Sequence, residues 1–276
     1  IPPPDWLYHF VYPYLYSYGD LSDEGNFLAL IRDCLDVPMI KNHWDLSLDA
    51  EEVARRSPER SYRGVIVALF RSYGRAAETP YWGAKTPGNV FWLPEIHEDF
   101  PRARFVYIYR DGRDVSIDQV ETEWGPLNLY EACLWWRSYV NAMREAKKLI
   151  PPDCIHEIHY EELVRRPEEV VRGICEFLGW DYEPRMLRYY EQDDAFFGLA
   201  HHRKTSKPIT DAYVGMYRKL HSRQRALQAA LIGPTLRDLG YEVEDEPRSI
   251  GFWESERYLE EDRHGGTETG DRKSVV

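Results

Sequence analysis

The sequence predicts an α/β fold in which a parallel sheet is covered by helices on both faces. Three observations lead there. Phe105-Val-Tyr-Ile-Tyr109 is a short run of β-branched and aromatic residues flanked by charge, which reads as a buried strand. Cys154 to Tyr160 is a second strand candidate of similar length. Around both, apolar residues recur at helical spacing, and strands alternating with helices of this length form parallel sheets.

Taken in order, residues 1–50 are rich in Tyr, Trp and Leu and read as short helices and loops. Ser61 caps a helix whose Tyr62, Val65, Ile66, Leu69, Phe70 and Tyr73 share one face, ending near Gly74. Tyr81 to Gly88 is turn-rich, and a helix is expected from about Asn89 to Asp99. After the strand at 105–109, Asp111-Gly112 breaks the chain and Asp114 is expected to cap a helix from about Val115 toward Gln119. Trp124-Gly125-Pro126 interrupts again. Asn128 then caps a long helix to about Lys148, with Leu129, Cys133, Trp136, Val140 and Met143 on its core face; Pro151-Pro152 ends it. Pro167 opens the next helix and Gly179 closes it.

Composition narrows the function. The chain has 276 residues, 43% hydrophobic and 30% charged, as expected of a soluble globular protein. A formal net charge of −12 argues against a general nucleic-acid or anionic-membrane binder. No apolar run approaches the length of a membrane span. Cys34, Cys133, Cys154 and Cys175 are scattered without metal-ligand spacing, so no metal site is expected, and a reducing, cytoplasmic compartment is favoured. The 14% aromatic content suits an apolar or sugar-stacking cleft and suits a core equally well.

The strand at 105–109 runs into Arg110-Asp-Gly-Arg-Asp114 and a helix start. Such a strand, basic loop and helix aim guanidinium groups and free N–H groups at one point, where an anion is held. An Arg/Asp network that merely ties off the strand is the competing reading.

Six pieces in order resemble the sulfotransferase family: Trp82-Gly-Ala-Lys-Thr-Pro87, Phe100-Pro-Arg-Ala-Arg-Phe105 with Arg110-Asp-Gly-Arg-Asp-Val115, Trp124-Gly-Pro126, His159-Tyr-Glu-Glu-Leu163, Cys175-Glu-Phe-Leu-Gly179, and Pro208-Ile with Val214-Gly215. The resemblance implies a P-loop nucleotide-kinase-like sheet. It also implies transfer of a sulfuryl group from 3′-phosphoadenosine 5′-phosphosulfate to a hydroxyl or amine, leaving adenosine 3′,5′-bisphosphate. It places Arg110 on the cofactor 3′-phosphate, Tyr160 near the adenine, Lys85 at the bridging region of the phosphosulfate, and Gly215 and Arg218 in the segment that closes over the 3′-phosphate. As acceptor the resemblance implies a small-molecule, carbohydrate or peptide hydroxyl.

Departures accompany the match. The position where relatives add a serine hydroxyl to the phosphate holds Asp118, so either Asp118 turns away or the pocket is altered. Ser116 lies two residues earlier, about 200° around the helix, and does not substitute. The histidine base of small-molecule members is replaced by Pro87. The glutamate used by bacterial and Golgi-type members falls at Pro4, which leaves Asp5 as the candidate base, with His97 and Glu95 weaker. Met216 replaces a polar or basic residue, and His201 to Lys207 is a basic run suited to a lid.

The Gly-rich phosphosulfate loop of the family has no counterpart in the sequence. Ile1 to Phe10 matches the family segment just beyond that loop and its helix, as in a chain truncated before its first βα unit. Residues 1–241 are expected to form the sulfotransferase-like domain and 242–276 an acidic, polar extension, disordered over 262–276. An active sulfotransferase and a non-catalytic relative both stay open. A kinase is disfavoured by the absence of G-x-x-x-x-G-K-[ST].

Overall fold

The computed structural model describes residues 4–44, 46, 48–73, 81–122, 125–191 and 207–244. Gly74, Trp124, most of the proposed lid (201–206) and the tail from 245 onward lie outside them. The chain divides into two compact units, one of residues 1–103 and 145–150, the other of 104–144 and 151–276.

The first unit is helical. α1 (Leu7–Phe10), a 3-10 stretch (Tyr12–Tyr18), α2 (Glu24–Asp36), α3 (Pro38–His43), α4 (Ala50–Arg56) and α5 (Tyr62–Ser72) surround a core that includes Leu7, Phe27, Leu30, Trp44, Val53 and Leu69. The starts are chemically marked: Asp23 accepts from Asn26 N at 3.0 Å, Asp49 from Glu52 N at 2.7 Å and Ser61 from Gly64 N at 3.0 Å. The helix expected over 89–99 is instead a 3-10 stretch (Pro87–Trp92) followed by α6 (Leu93–Asp99). Pro94, in the first turn of α6, has no N–H to continue the earlier ladder, so the helix restarts there.

The second unit carries the sheet. β1 (Phe105–Tyr109) pairs in parallel with β2 (Ile155–His159), in a register running from Phe105 opposite Ile155 to Tyr109 opposite His159. The last pair is tied by its side chains, Tyr109 OH lying 2.6 Å from His159 Nε2. β1 is less buried than its composition suggests. Val106 and Ile108, alternate residues on one face, are 37% and 48% exposed, because that face of the strand stays accessible.

Helices follow both strands. α7 (Gly112–Val120) starts three residues before the expected position, and its cap is Asp111, which accepts from Arg113 N at 2.9 Å, not Asp114. α8 (Leu129–Ala146) is capped by Asn128, which accepts from Glu131 N at 2.9 Å. Its Leu129, Cys133, Trp136 and Val140 pack with Leu227, Ile232 and Leu236 of α11 (Ser222–Asp238) in a second core. α9 (Tyr160–Arg165) and α10 (Pro167–Leu178) follow β2. Gly179 ends α10, with Gly179 N and Trp180 N donating to Glu176 O and Cys175 O. No helix among the described residues is long and apolar enough to cross a membrane.

Candidate functional site

The parallel register decides what meets at the end of the sheet. Since Tyr109 faces His159, the next residues along each strand, Arg110 and Tyr160, leave side by side at the carboxyl ends, where α/β sheets bind ligands. Arg110 Cζ lies 4.9 Å from the centre of the Tyr160 ring. The Arg110 side chain is 14% exposed, and its Nη2 donates to Tyr213 O at 2.6 Å. Nη1 is taken by the Asp118 carboxylate, and Asp114 Oδ2 stands 3.9 Å from Nη2. Nε is buried without a hydrogen-bond partner among the described residues. Asp118 therefore does not turn away from Arg110: its carboxylate lies on the guanidinium.

The loop after β1 is held from three sides. Trp136 Nε1 donates to Arg110 O at 3.2 Å. A Cβ on Gly112 would lie 2.5 Å from that indole, so only glycine lets the backbone rest on the ring. Asp111 N donates to Glu161 Oε1 at 2.9 Å, and Glu161 Oε2 accepts from Tyr241 OH at 2.9 Å. Arg113 pairs with Asp111 at 2.7 Å and lies 3.8 Å over the Tyr217 ring, so its charge is spent within the loop. Gln228 Nε2 donates to Arg113 O at 2.9 Å and Ser116 Oγ at 3.0 Å, which uses Ser116 internally.

Asp114 brings the distant segment in. Its fully buried carboxylate accepts from Gly215 N at 2.7 Å and Tyr217 N at 2.9 Å. Gly215 adopts φ +76°, and a Cβ there would collide with Arg218 Nη1, so Arg218 folds back against it. Burial raises the Asp114 pKa more than the two backbone donors lower it. Beside these residues opens a cleft of about 320 Å³, lined among others by Arg113, His159, Glu161, Gly215, Arg218 and Tyr241. Arg110, Asp118, Tyr160, Gly215 and Arg218, separated by up to about a hundred residues, therefore gather around one loop. Met216 caps nothing polar there; its sulfur takes a contact from Lys219 Nζ at 3.5 Å.

Lys85 and Asp5 belong to the first unit. Thr86 and Asp5 are reciprocally bonded, Asp5 N donating to Thr86 Oγ1 at 3.0 Å and Thr86 Oγ1 to Asp5 Oδ2 at 2.9 Å. Asp5 Oδ1 accepts from Leu7 N at 3.0 Å. Asp5 is 2% exposed and burial raises its pKa, with both oxygens engaged. Lys85 follows from this knot as an exposed residue whose ammonium pKa is lowered by partial desolvation. Its Nζ makes no hydrogen bond or ion pair among the described residues. Glu95 and His97 are half-buried on α6.

Asp114, Glu161 and Gln228 were not singled out for these tasks by sequence reasoning. Glu161 had a signal, its place beside Tyr160 in the quoted Tyr-Glu-Glu-Leu; Gln228 had none, because it lies on a helix remote in sequence. No group of described residues has metal-ligating geometry.

Comparisons with known proteins agree with this architecture. Protein-tyrosine sulfotransferase 1 of Danio rerio is 25% identical over 224 residues, 75% of this chain and 60% of that protein. An omega-hydroxy-beta-dihydromenaquinone-9 sulfotransferase of Mycobacterium bovis is 26% identical over 186 residues, 61% of this chain and 47% of the relative. The chain spans 26% to 60% of the length of curated relatives of this kind. Among solved structures, the sulfotransferase domain of the Synechococcus PCC 7002 olefin synthase superposes with a TM-score of 0.51 at 17% identity, covering 87% of this chain and 93% of that one, which shows a shared fold. A sulfotransferase family model matches residues 21–184, more than half of the sequence and inclusive of both strands and the Arg110 loop, and the chain belongs to the sulfotransferase family.

Proposed function

We propose that this chain transfers a sulfuryl group from an adenine-nucleotide 5′-phosphosulfate, in the family's usual form 3′-phosphoadenosine 5′-phosphosulfate, to an acceptor hydroxyl or amine. The observation that carries the reading is the meeting of Arg110 and Tyr160 at the carboxyl ends of two registered parallel strands. A guanidinium and an aromatic ring meeting at this point suit the ribose and base end of a nucleotide. The donor supplies the sulfuryl group, its sulfur–oxygen bond to the 5′-phosphate breaking as one to the acceptor oxygen or nitrogen forms and the acceptor's proton passes to a base.

The residues do the rest by position and charge. Arg110 and Arg218 hold the nucleotide end, with Gly215 keeping the covering segment close. Tyr160 lines the base. Lys85 offers an ammonium to charge developing on the leaving phosphate. Asp5, the candidate proton acceptor, has a raised pKa that favours proton uptake; its two bonds also make it the group that positions Thr86 and hence Lys85. Acceptors named for relatives, a protein tyrosine and a lipid alcohol, both present a hydroxyl, and a hydroxyl is the acceptor proposed here.

Isothermal titration of the full chain with adenosine 3′,5′-bisphosphate and with adenosine 5′-monophosphate tests the nucleotide site. Binding of either that is lost on Arg110→Ala supports it. Silence with both at millimolar concentration refutes it in favour of a non-catalytic relative.

A further inference from the structure

Arg110 leaves the carboxyl end of β1, and it does not stand there as a free cation. Its Nη1 is held by Asp118, its Nη2 by the Tyr213 carbonyl, and Asp114 lies 3.9 Å from Nη2. Arg218, folded against Gly215, lines the cleft beside this loop. Asp118 and Asp114 thus offset Arg110, Asp111 neutralises Arg113, and the adjoining cleft that Arg165 and Arg218 line is lined as well by Glu161, Glu162, Glu242 and Glu244. A phosphate monoester carries about two negative charges at neutral pH. To bind, it must displace Asp118 from the arginine or sit beside a carboxylate in a pocket with no net positive charge.

A hydroxyl meets neither obstacle. It donates to the Asp118 carboxylate, whose side chain is 32% exposed and so within reach of a ligand, while Arg110 keeps its pair. The same discrimination operates in dinucleotide sites, where a carboxylate accepts from a ribose hydroxyl and an arginine without one accommodates a ribose phosphate. Resting on the reading that Arg110 faces the ribose of the donor, we propose that Asp118 is a specificity-determining residue that directs this site to an adenosine 5′-phosphosulfate whose ribose 3′ position carries a hydroxyl in place of the phosphate.

The test is titration calorimetry on the full chain with two probes, adenosine 5′-monophosphate and adenosine 3′,5′-bisphosphate. It uses the unmodified protein, Asp118→Ser and Asp118→Asn, with melting temperatures confirming that the variants fold. The unmodified chain is expected to bind the monophosphate as tightly as the bisphosphate, within threefold, or more tightly. Both variants are expected to shift the ratio at least tenfold toward the bisphosphate. A bisphosphate bound more than threefold tighter by the unmodified chain overturns the inference, as does a ratio that both variants leave unchanged. If neither probe binds any of the three proteins, the nucleotide reading itself has failed and this inference falls with it.

Discussion

Asp114→Ala probes how the segment around Gly215 is held on the Arg110 loop. The carboxylate is fully buried and accepts from Gly215 N at 2.7 Å and Tyr217 N at 2.9 Å. Truncation leaves two buried donors unpaired, each costing about 1–3 kcal/mol, for a gross loss of about 2–6 kcal/mol. Part of that is offset, because the carboxylate is itself costly to bury, as its raised pKa shows. Releasing it returns about 1–3 kcal/mol, so taking the middle of each range a net destabilisation of about 2 kcal/mol is expected. Asp114→Asn keeps one acceptor oxygen and should lose roughly half as much. The consequence reaches the ligand, since the Tyr213 carbonyl that holds Arg110 lies two residues before Gly215. Nucleotide affinity should therefore fall at least tenfold in Asp114→Ala at temperatures where the chain is still folded, a change equivalent to about 1.4 kcal/mol. Urea unfolding with matched slopes gives the stability and calorimetric titration the affinity. A loss under about 1 kcal/mol for Asp114→Ala, or unchanged affinity, would refute the argument that these two bonds couple the segment to the site.

Two further outcomes come from the geometry. Gly112→Ala places a methyl 2.5 Å from the Trp136 indole, whose Nε1 is bonded to Arg110 O, and should cost about 1–3 kcal/mol in thermal unfolding; an unchanged melting temperature would show that the ring yields freely. Asp5→Asn tests proton linkage. The folded-state pKa of Asp5 is raised above its ordinary value of 3.8, so the folded chain binds that proton more tightly than the unfolded one. The associated stability is full below the unfolded pKa and is lost as pH rises through the folded one. The unmodified chain should accordingly lose stability relative to Asp5→Asn as pH is raised from 3.8 toward neutrality, and parallel melting curves across that window would remove Asp5 as a linked group.

Local chemistry was readable along the chain. Ser61 and Asn128 cap helices as their residue types and following apolar periods indicate, Gly179 ends one, and the strand over 105–109 has the limits its composition marks. Each depends on neighbours within a turn or two. What escaped depends on partners far away. Asp114 has the composition of a cap but spends its oxygens on residues more than a hundred positions later, which leaves the cap to Asp111. The direction of Asp118 could not be read either, because it is decided by the attraction of Arg110 across two helical turns of α7 and its preceding loop. The restart of the helix at Pro94 was visible in the sequence, yet the apolar period running through Asn89 to Asp99 masked it. The openness of Val106 and Ile108 reflects what packs on that face of β1, which no residue in the strand encodes.

The Tyr109–His159 pairing also sets which changes of length this site tolerates. A residue inserted or deleted between Phe105 and Arg110 would reverse the facing of everything after it, because side chains along a strand alternate. Arg110 would then leave on the side opposite Tyr160. Length added between Pro126 and Asn128, or between Leu149 and Pro152, leaves the ladder untouched and lets the two residues keep their appointment. Drift in chain length among descendants of this sequence should therefore collect in those two connections and be absent from the last residues of both strands.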